Sequence, residues 1–220
     1  MRNRNGVKAP HQLQVYTAGK PLGEAAAAMI LLHGRGATAH SILELASVLT
    51  HDDLAYLAPQ AAGNSWYPFS FLAPLERNEP ALSLGLQSVA DVLANVEAAG
   101  IPAEKIIIGG FSQGACLASE FVARNARRYG GLMVFSGGLI GPPGFPRDYA
   151  GSLDGTPVFL GCSDADPHIP EERVHESAAV FERLGADVTM EIYHNMGHTV
   201  IQDEVHRAQE LINAAITDRL

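Results

Sequence analysis

Short runs of consecutive apolar residues alternate along this chain with longer stretches in which apolar positions recur every three or four residues. The runs are LQVYT (13–17), AMILL (28–32), LAYLA (54–58), KIIIGG (105–110), GLMVFS (131–136), TPVFLG (156–161) and VTMEIY (188–193). The middle five show almost no alternation of polar with apolar positions, which is the pattern of strands covered on both faces in a parallel sheet. Helices are predicted between them over Ser41–Leu49, Pro80–Ala99, Gln113–Asn125, Pro170–Leu184 and Asp203–Asp218. In the longest, Leu82, Leu86, Val89, Leu93 and Val96 form a single stripe. Strand and helix alternating on this scale imply a doubly wound, mostly parallel α/β sheet with helices on both faces and right-handed crossovers. No linker, internal repeat or low-complexity tract interrupts the pattern, so residues 1–220 are expected to form one domain. Two longer irregular stretches, Gln60–Glu79 and Gly137–Gly155, are rich in Pro, Gly and aromatic residues, and long loops of this kind are usually functional or mobile.

Composition narrows the class. A chain of 220 residues with 47% hydrophobic and 18% charged side chains can bury one good core. Fifteen basic against 24 acidic residues give a net charge of -9, with the basic ones scattered, which argues against a nucleic-acid partner. No stretch reaches the roughly 18 consecutive apolar residues of a membrane span, and the start MRNRNGVKAPHQLQ is basic without an apolar segment behind it, so a cytoplasmic protein is expected. Cys116 and Cys162 fit a reducing compartment, stand in no metal-site spacing, and leave a disulfide between them open.

The fourth run ends in GGFSQG, where Gly110, Ser112 and Gly114 fit Gly-x-Ser-x-Gly at a change from strand to helix. In that motif the serine takes a strained backbone on a sharp turn, which lifts its hydroxyl above the sheet. The N–H of Gln113 then lies at a helix N-terminus, where a free donor can stabilise an oxyanion. The plain alternative is a serine that caps the helix.

A serine hydroxyl needs a base to take its proton and a carboxylate to orient that base, in the chain order Ser, Asp, His at the ends of later strands. Asp166 in GCSDADPHIP and His198 in YHNMGHTV stand at those places. Each has a rival nearby, Asp164 and His194. HNMGH has zinc-like spacing but lacks a glutamate after its first histidine and carries a glycine that disfavours a helix, so no metal is expected. His168, His175 and His206 are read as surface residues. The second oxyanion donor is expected from LHGRGAT (32–38), where glycines let the backbone approach and Arg35 can supply its N–H, while its side chain faces solvent or pairs with a carboxylate. Trp66, Tyr67, Phe69, Phe71 and Leu72 follow the third run on the same carboxyl edge as the serine and could wall an acyl or aromatic pocket, or else plug the sheet edge. Cys116, one helical turn past Ser112, reads as a small core residue.

Taken together, LHGRGAT, PQAAGNSWYPFSFLAP, GGFSQGACLA, DADPHIP and MGHTV resemble the phospholipase/carboxylesterase family of small α/β-hydrolases, which includes acyl-protein thioesterases, and are most similar to its bacterial esterases. The resemblance runs from about Ala27 to about Ala214. It implies an α/β-hydrolase fold without a separate cap domain, a Ser112, Asp166, His198 triad, and an oxyanion hole from the N–H groups of Arg35 and Gln113. It also implies no cofactor, a small-molecule ester substrate and, as is frequent in the family, a homodimer. The chain departs from acyl-protein thioesterases at Arg35, where they usually have leucine, and in the region before its long helix.

The expected activity is hydrolysis of carboxylic esters, lysophospholipids among them, through an acyl-enzyme. Thioester or lactone hydrolysis would use the same residues, and a non-catalytic module that binds ligand at the sheet edge is the alternative of a different class.

Overall fold

The computed structural model describes residues 14–217, so Leu13 and Asp218, the ends of the first strand and last helix read from the sequence, lie outside the described residues. Seven strands, β1 (Val15–Gly19), β2 (Ala27–Leu32), β3 (Leu54–Pro59), β4 (Ile106–Phe111), β5 (Gly131–Phe135), β6 (Pro157–Ser163) and β7 (Asp187–Tyr193), form one sheet in the order β1-β3-β2-β4-β5-β6-β7. Only β1 runs antiparallel, on β3 at the edge. The other pairings are all parallel.

The helices are α1 (Ala39–Leu43), α2 (Leu75–Asn78), α3 (Ala81–Ala98), α4 (Gln113–Arg124), α5 (Glu171–Arg183) and α6 (Gln202–Thr217). Strand β2 shows how the layers are assigned. Its Ala28, Ile30 and Leu32 pack in one cluster with Leu82, Val89 and Leu93 of α3 and with residues of α4 and α5. Its Ala27, Met29 and Leu31 pack in a second cluster with Ala39 and Ile42 of α1 and Leu211 and Ile212 of α6. Alternate side chains of a strand point to opposite faces, and here both faces are covered, so β2 is apolar throughout.

One predicted helix differs. Instead of a continuous helix over Ser41–Leu49, α1 starts earlier, where the Thr38 side chain accepts from the Ser41 N–H, and gives way to a 3-10 turn over Glu44–Ser47. There the Ser47 hydroxyl donates to the Glu44 carbonyl at 2.7 Å, a local bond that competes with regular helix. Cys116 and Cys162 are both free and buried, which settles the open disulfide against a bridge. Among the described residues no helix is long and apolar enough to cross a membrane.

The order of strands places β2 and β4 side by side although the chain leaves β2 for β3 on one side and later continues from β4 to β5 on the other. At such a switch point the loops leaving the two carboxyl ends diverge and open a crevice.

Candidate active site

The crevice is built first by the backbone. Ser112 follows β4 with φ 56° and ψ -119°, a conformation that glycine normally supplies, and α4 begins at the next residue. The flanking glycines follow from close approach. A Cβ on Gly110 would stand 2.5 Å from the Leu32 carbonyl oxygen, and one on Gly114 would overlap the same oxygen. The turn therefore packs against the end of β2 only because both positions lack side chains.

Ser112 Oγ lies 2.9 Å from His198 Nε2, and His198 Nδ1 lies 2.6 Å from Asp166 Oδ2. A carboxylate only accepts, so Nδ1 carries the ring proton and Nε2 is left to accept from the serine O–H. The Asp166 side chain is fully buried and its Oδ1 accepts from the backbone N–H groups of His168 (2.8 Å) and Ile169 (3.1 Å). Burial alone would push this carboxyl up, but the bonds from His198 and the two N–H groups hold it below its ordinary value.

The rival residues form a separate pair. Asp164 Oδ2 receives His194 Nδ1 at 2.6 Å, while Asp164 Oδ1 accepts the Asn195 N–H at 2.8 Å, where Asn195 is left-handed with φ 53°. His194 is 82% exposed and bonds Asp164 while His198 bonds Asp166, so the two histidines, four residues apart, serve different carboxylates. Asp164 ties down the loop that carries His198.

The residues read as oxyanion donors sit on the two sides of the crevice. Among the described residues, neither the Arg35 nor the Gln113 backbone N–H is taken up by a protein acceptor. Their side chains do what sequence did not reveal, since both brace the same segment, Ser65–Phe69. Gln113 Oε1 accepts the Trp66 N–H at 3.0 Å and its Nε2 donates to the Tyr67 carbonyl at 2.8 Å. Arg35 does not pair with a carboxylate; it donates to Ser65 Oγ (3.2 Å) and to the carbonyls of Pro68 (2.8 Å) and Phe69 (2.6 Å).

Beside Ser112 opens a cavity of about 610 Å³, walled by Arg35, Tyr67, Phe69, Phe71, Phe111 and His168 among others. Trp66 and Leu72 do not line it. Trp66 is buried and donates its indole N–H to the His33 carbonyl at 2.9 Å, and Leu72 packs against the core. His168 is exposed, as read from the sequence, and in addition its ring stands edge-on to His198 at 4.8 Å and lines the cavity. Cys116 also reaches the cavity, and burial pushes its thiol up to about 12, so it stays protonated. A smaller groove of about 440 Å³, walled by Ile42, Glu44, Leu45, Thr199 and Val200, meets the first at Phe111 and His198. Among the described residues no group of three or more His, Cys, Asp or Glu side chains is placed to hold a metal ion.

The model of the phospholipase/carboxylesterase family matches residues 17–216. The chain belongs to that family. The crystal structure of a phospholipase/carboxylesterase from Dyadobacter fermentans superposes with a TM-score of 0.89 at 45% identity, over 94% of this chain and 100% of that one. Acyl-protein thioesterase 1 of Debaryomyces hansenii is 32% identical over 114 residues, 51% of this chain and 49% of the relative. A probable carboxylesterase of Oryza sativa is 28% identical over 136 residues, 62% of this chain and 58% of the relative. The chain spans about half the length of the curated thioesterases it matches. The fold of this phospholipase/carboxylesterase family member is the α/β-hydrolase fold, with no separate cap domain among the described residues.

Two buried residues behind the site carried no sequence signal. His33 is buried, accepts the Ala61 N–H on Nε2 at 3.1 Å and is held neutral because burial lowers its pKa; with Nε2 accepting, Nδ1 donates to the Gly34 carbonyl at 2.8 Å. Glu204, in the first turn of α6, is buried, accepts the Ile201 N–H at 2.9 Å, and is pushed by burial up to about 7. Its folded pKa thus lies above the unfolded value of about 4.5. The stability of the neutral form is whole below about 4.5 and is lost as pH rises through about 7, a change of at most about 3 kcal/mol. Glu204→Gln keeps an acceptor for Ile201. Thermal melts should show it more stable than the native chain at pH 8 and little different at pH 5; equal differences at both pH values would contradict the assignment.

Proposed function

We propose that the chain is a serine hydrolase of carboxylic esters working through an acyl-enzyme. The observation that carries this reading is the continuous hydrogen-bonded path from Ser112 through His198 to the buried Asp166 carboxylate. His198 Nε2 takes the proton as Ser112 Oγ attacks the ester carbonyl, and Asp166 stabilises the imidazolium that forms. The oxyanion of the tetrahedral intermediate is met by the N–H groups of Arg35 and Gln113, donors already fixed in place and therefore not reorganised during reaction. His198 then gives its proton to the leaving alcohol, and a water, activated by the same base, releases the acid.

The inner wall of the cavity is made by Tyr67 and Phe71, both buried and fixed in the core, which suits short and medium acyl chains better than a long lipid tail. Hydrolysis of p-nitrophenyl esters from acetate to palmitate tests this. Turnover with an optimum below the long-chain esters is expected; a folded protein that hydrolyses none of them would overturn the proposal and favour a ligand-binding role for the crevice.

A further inference from the structure

Among the described residues no aspartate or glutamate lines the larger cavity, although the chain has 24 acidic against 15 basic residues. Apart from His198, its charged or donor-bearing ionisable groups are Arg35, His168 and the buried Tyr67 and Cys116. The Arg35 guanidinium spends three of its five N–H groups on Ser65 Oγ and the Pro68 and Phe69 carbonyls, all neutral acceptors. Among the described residues no carboxylate lies within 4 Å of it. The braces therefore fix the guanidinium in space, 5.8 Å from the centre of the Tyr67 ring and without a carboxylate partner.

The donors that remain are on Nε and Nη2, two nitrogens bonded to the same carbon, which is the arrangement a carboxylate meets with both oxygens. Across the cavity the His168 ring makes no hydrogen bond among the described residues and offers a further N–H even when neutral. The smaller groove has the opposite character, with Glu44 among its walls. An ester held at Ser112 thus lies between a cationic aromatic chamber and a groove that carries a carboxylate.

We infer that the larger cavity takes esters bearing a carboxylate on the arm that enters it, with Arg35 as the counter-charge and His168 as a second donor. This rests on the ester-hydrolase reading and names its substrate class. Arg35 and His168 are both exposed, so discrimination by charge between esters of equal size comes from the paired, charge-assisted bonds that Nε and Nη2 offer a carboxylate and not from burial.

Two substrate pairs test it. One puts the charge on the acyl arm, p-nitrophenyl hydrogen glutarate against p-nitrophenyl valerate; the other puts it on the alcohol arm, 4-acetoxybenzoate against its methyl ester. Each kcat/KM is divided by the ester's rate with hydroxide, and the ratio of charged to neutral is compared among the native protein, Arg35→Gln, Arg35→Lys and His168→Gln. In one pair the ratio should favour the charged ester by about ten-fold or more and fall by a similar factor in Arg35→Gln, as loss of a charge-assisted hydrogen bond requires. Arg35→Lys should retain part of the preference, His168→Gln should lower it less, and salt at about 0.5 M should weaken it. The pair that responds identifies the arm. If Arg35 acts only as a brace, Arg35→Gln slows both members equally and both ratios stay fixed, which overturns the inference. Failure to hydrolyse any of the four esters would overturn the hydrolase reading first, and this inference with it.

Discussion

Ser112→Ala is expected to lower kcat/KM for ester hydrolysis by about a million-fold, the scale seen when the nucleophile of such a triad is removed. The residual rate should come from the oxyanion donors and the binding walls, which the substitution leaves in place. Folding should survive. The Ser112 N–H, which donates to the Phe135 carbonyl at 2.9 Å, is retained, and alanine bears the φ of 56° at no more cost than serine does. Activity of purified Ser112→Ala above about a hundredth of the native value would exclude Ser112 as the nucleophile, because no alternative on this path could supply that rate.

Asp166→Asn should cost about ten-thousand-fold in kcat with little change in melting temperature. The asparagine carbonyl can still accept from His168 and Ile169, so the turn after β6 is kept. What changes is the group facing His198. A side-chain amide that donates to Nδ1 leaves the ring proton on Nε2, and Nε2 then no longer accepts from Ser112. The two residues act as one unit, so the double variant with Ser112→Ala should be no slower than Ser112→Ala alone. A further loss in the double variant would mean that Asp166 acts on the rate by another route.

The sheet could be read almost residue by residue because its central strands are covered on both faces. In β2, β3, β4 and β5 nearly every side chain is buried, so the apolar runs in the sequence are the strands themselves. The turn at Ser112 was legible for a related reason: Gly110 and Gly114 mark positions where the backbone leaves no room for a Cβ. The chain order Ser, Asp, His then pointed to the carboxyl ends of β6 and β7, and the structure pairs Asp166 with His198 there. Order along the chain could not decide between Asp164 and Asp166, since two residues in one turn differ mainly in direction, and Asp164 proves to hold Asn195 and His194 instead.

What sequence missed lies in irregular segments, where no period says which way a side chain points. Trp66 and Tyr67 are neighbours, yet Trp66 turns into the core to reach the His33 carbonyl while Tyr67 faces the cavity. His168 is the surface residue it was read as, but nothing in DADPHIP shows that the turn after Pro167 also brings its ring against His198. The cross-bracing of Ser65–Phe69 by Arg35 and Gln113 joins residues thirty or more positions apart in the chain, beyond the reach of any local pattern.

The central claim is that Ser112 is a nucleophile activated by His198 and Asp166. Incubation with a fluorophosphonate, followed by peptide mapping by mass spectrometry, tests it most directly, because the reagent phosphonylates an activated serine hydroxyl and needs no knowledge of the natural substrate. One adduct per chain is expected, on the peptide that contains Ser112, with loss of ester hydrolysis in step with labelling. A folded protein that stays unlabelled, or that is labelled at another residue while Ser112 remains free, would contradict it.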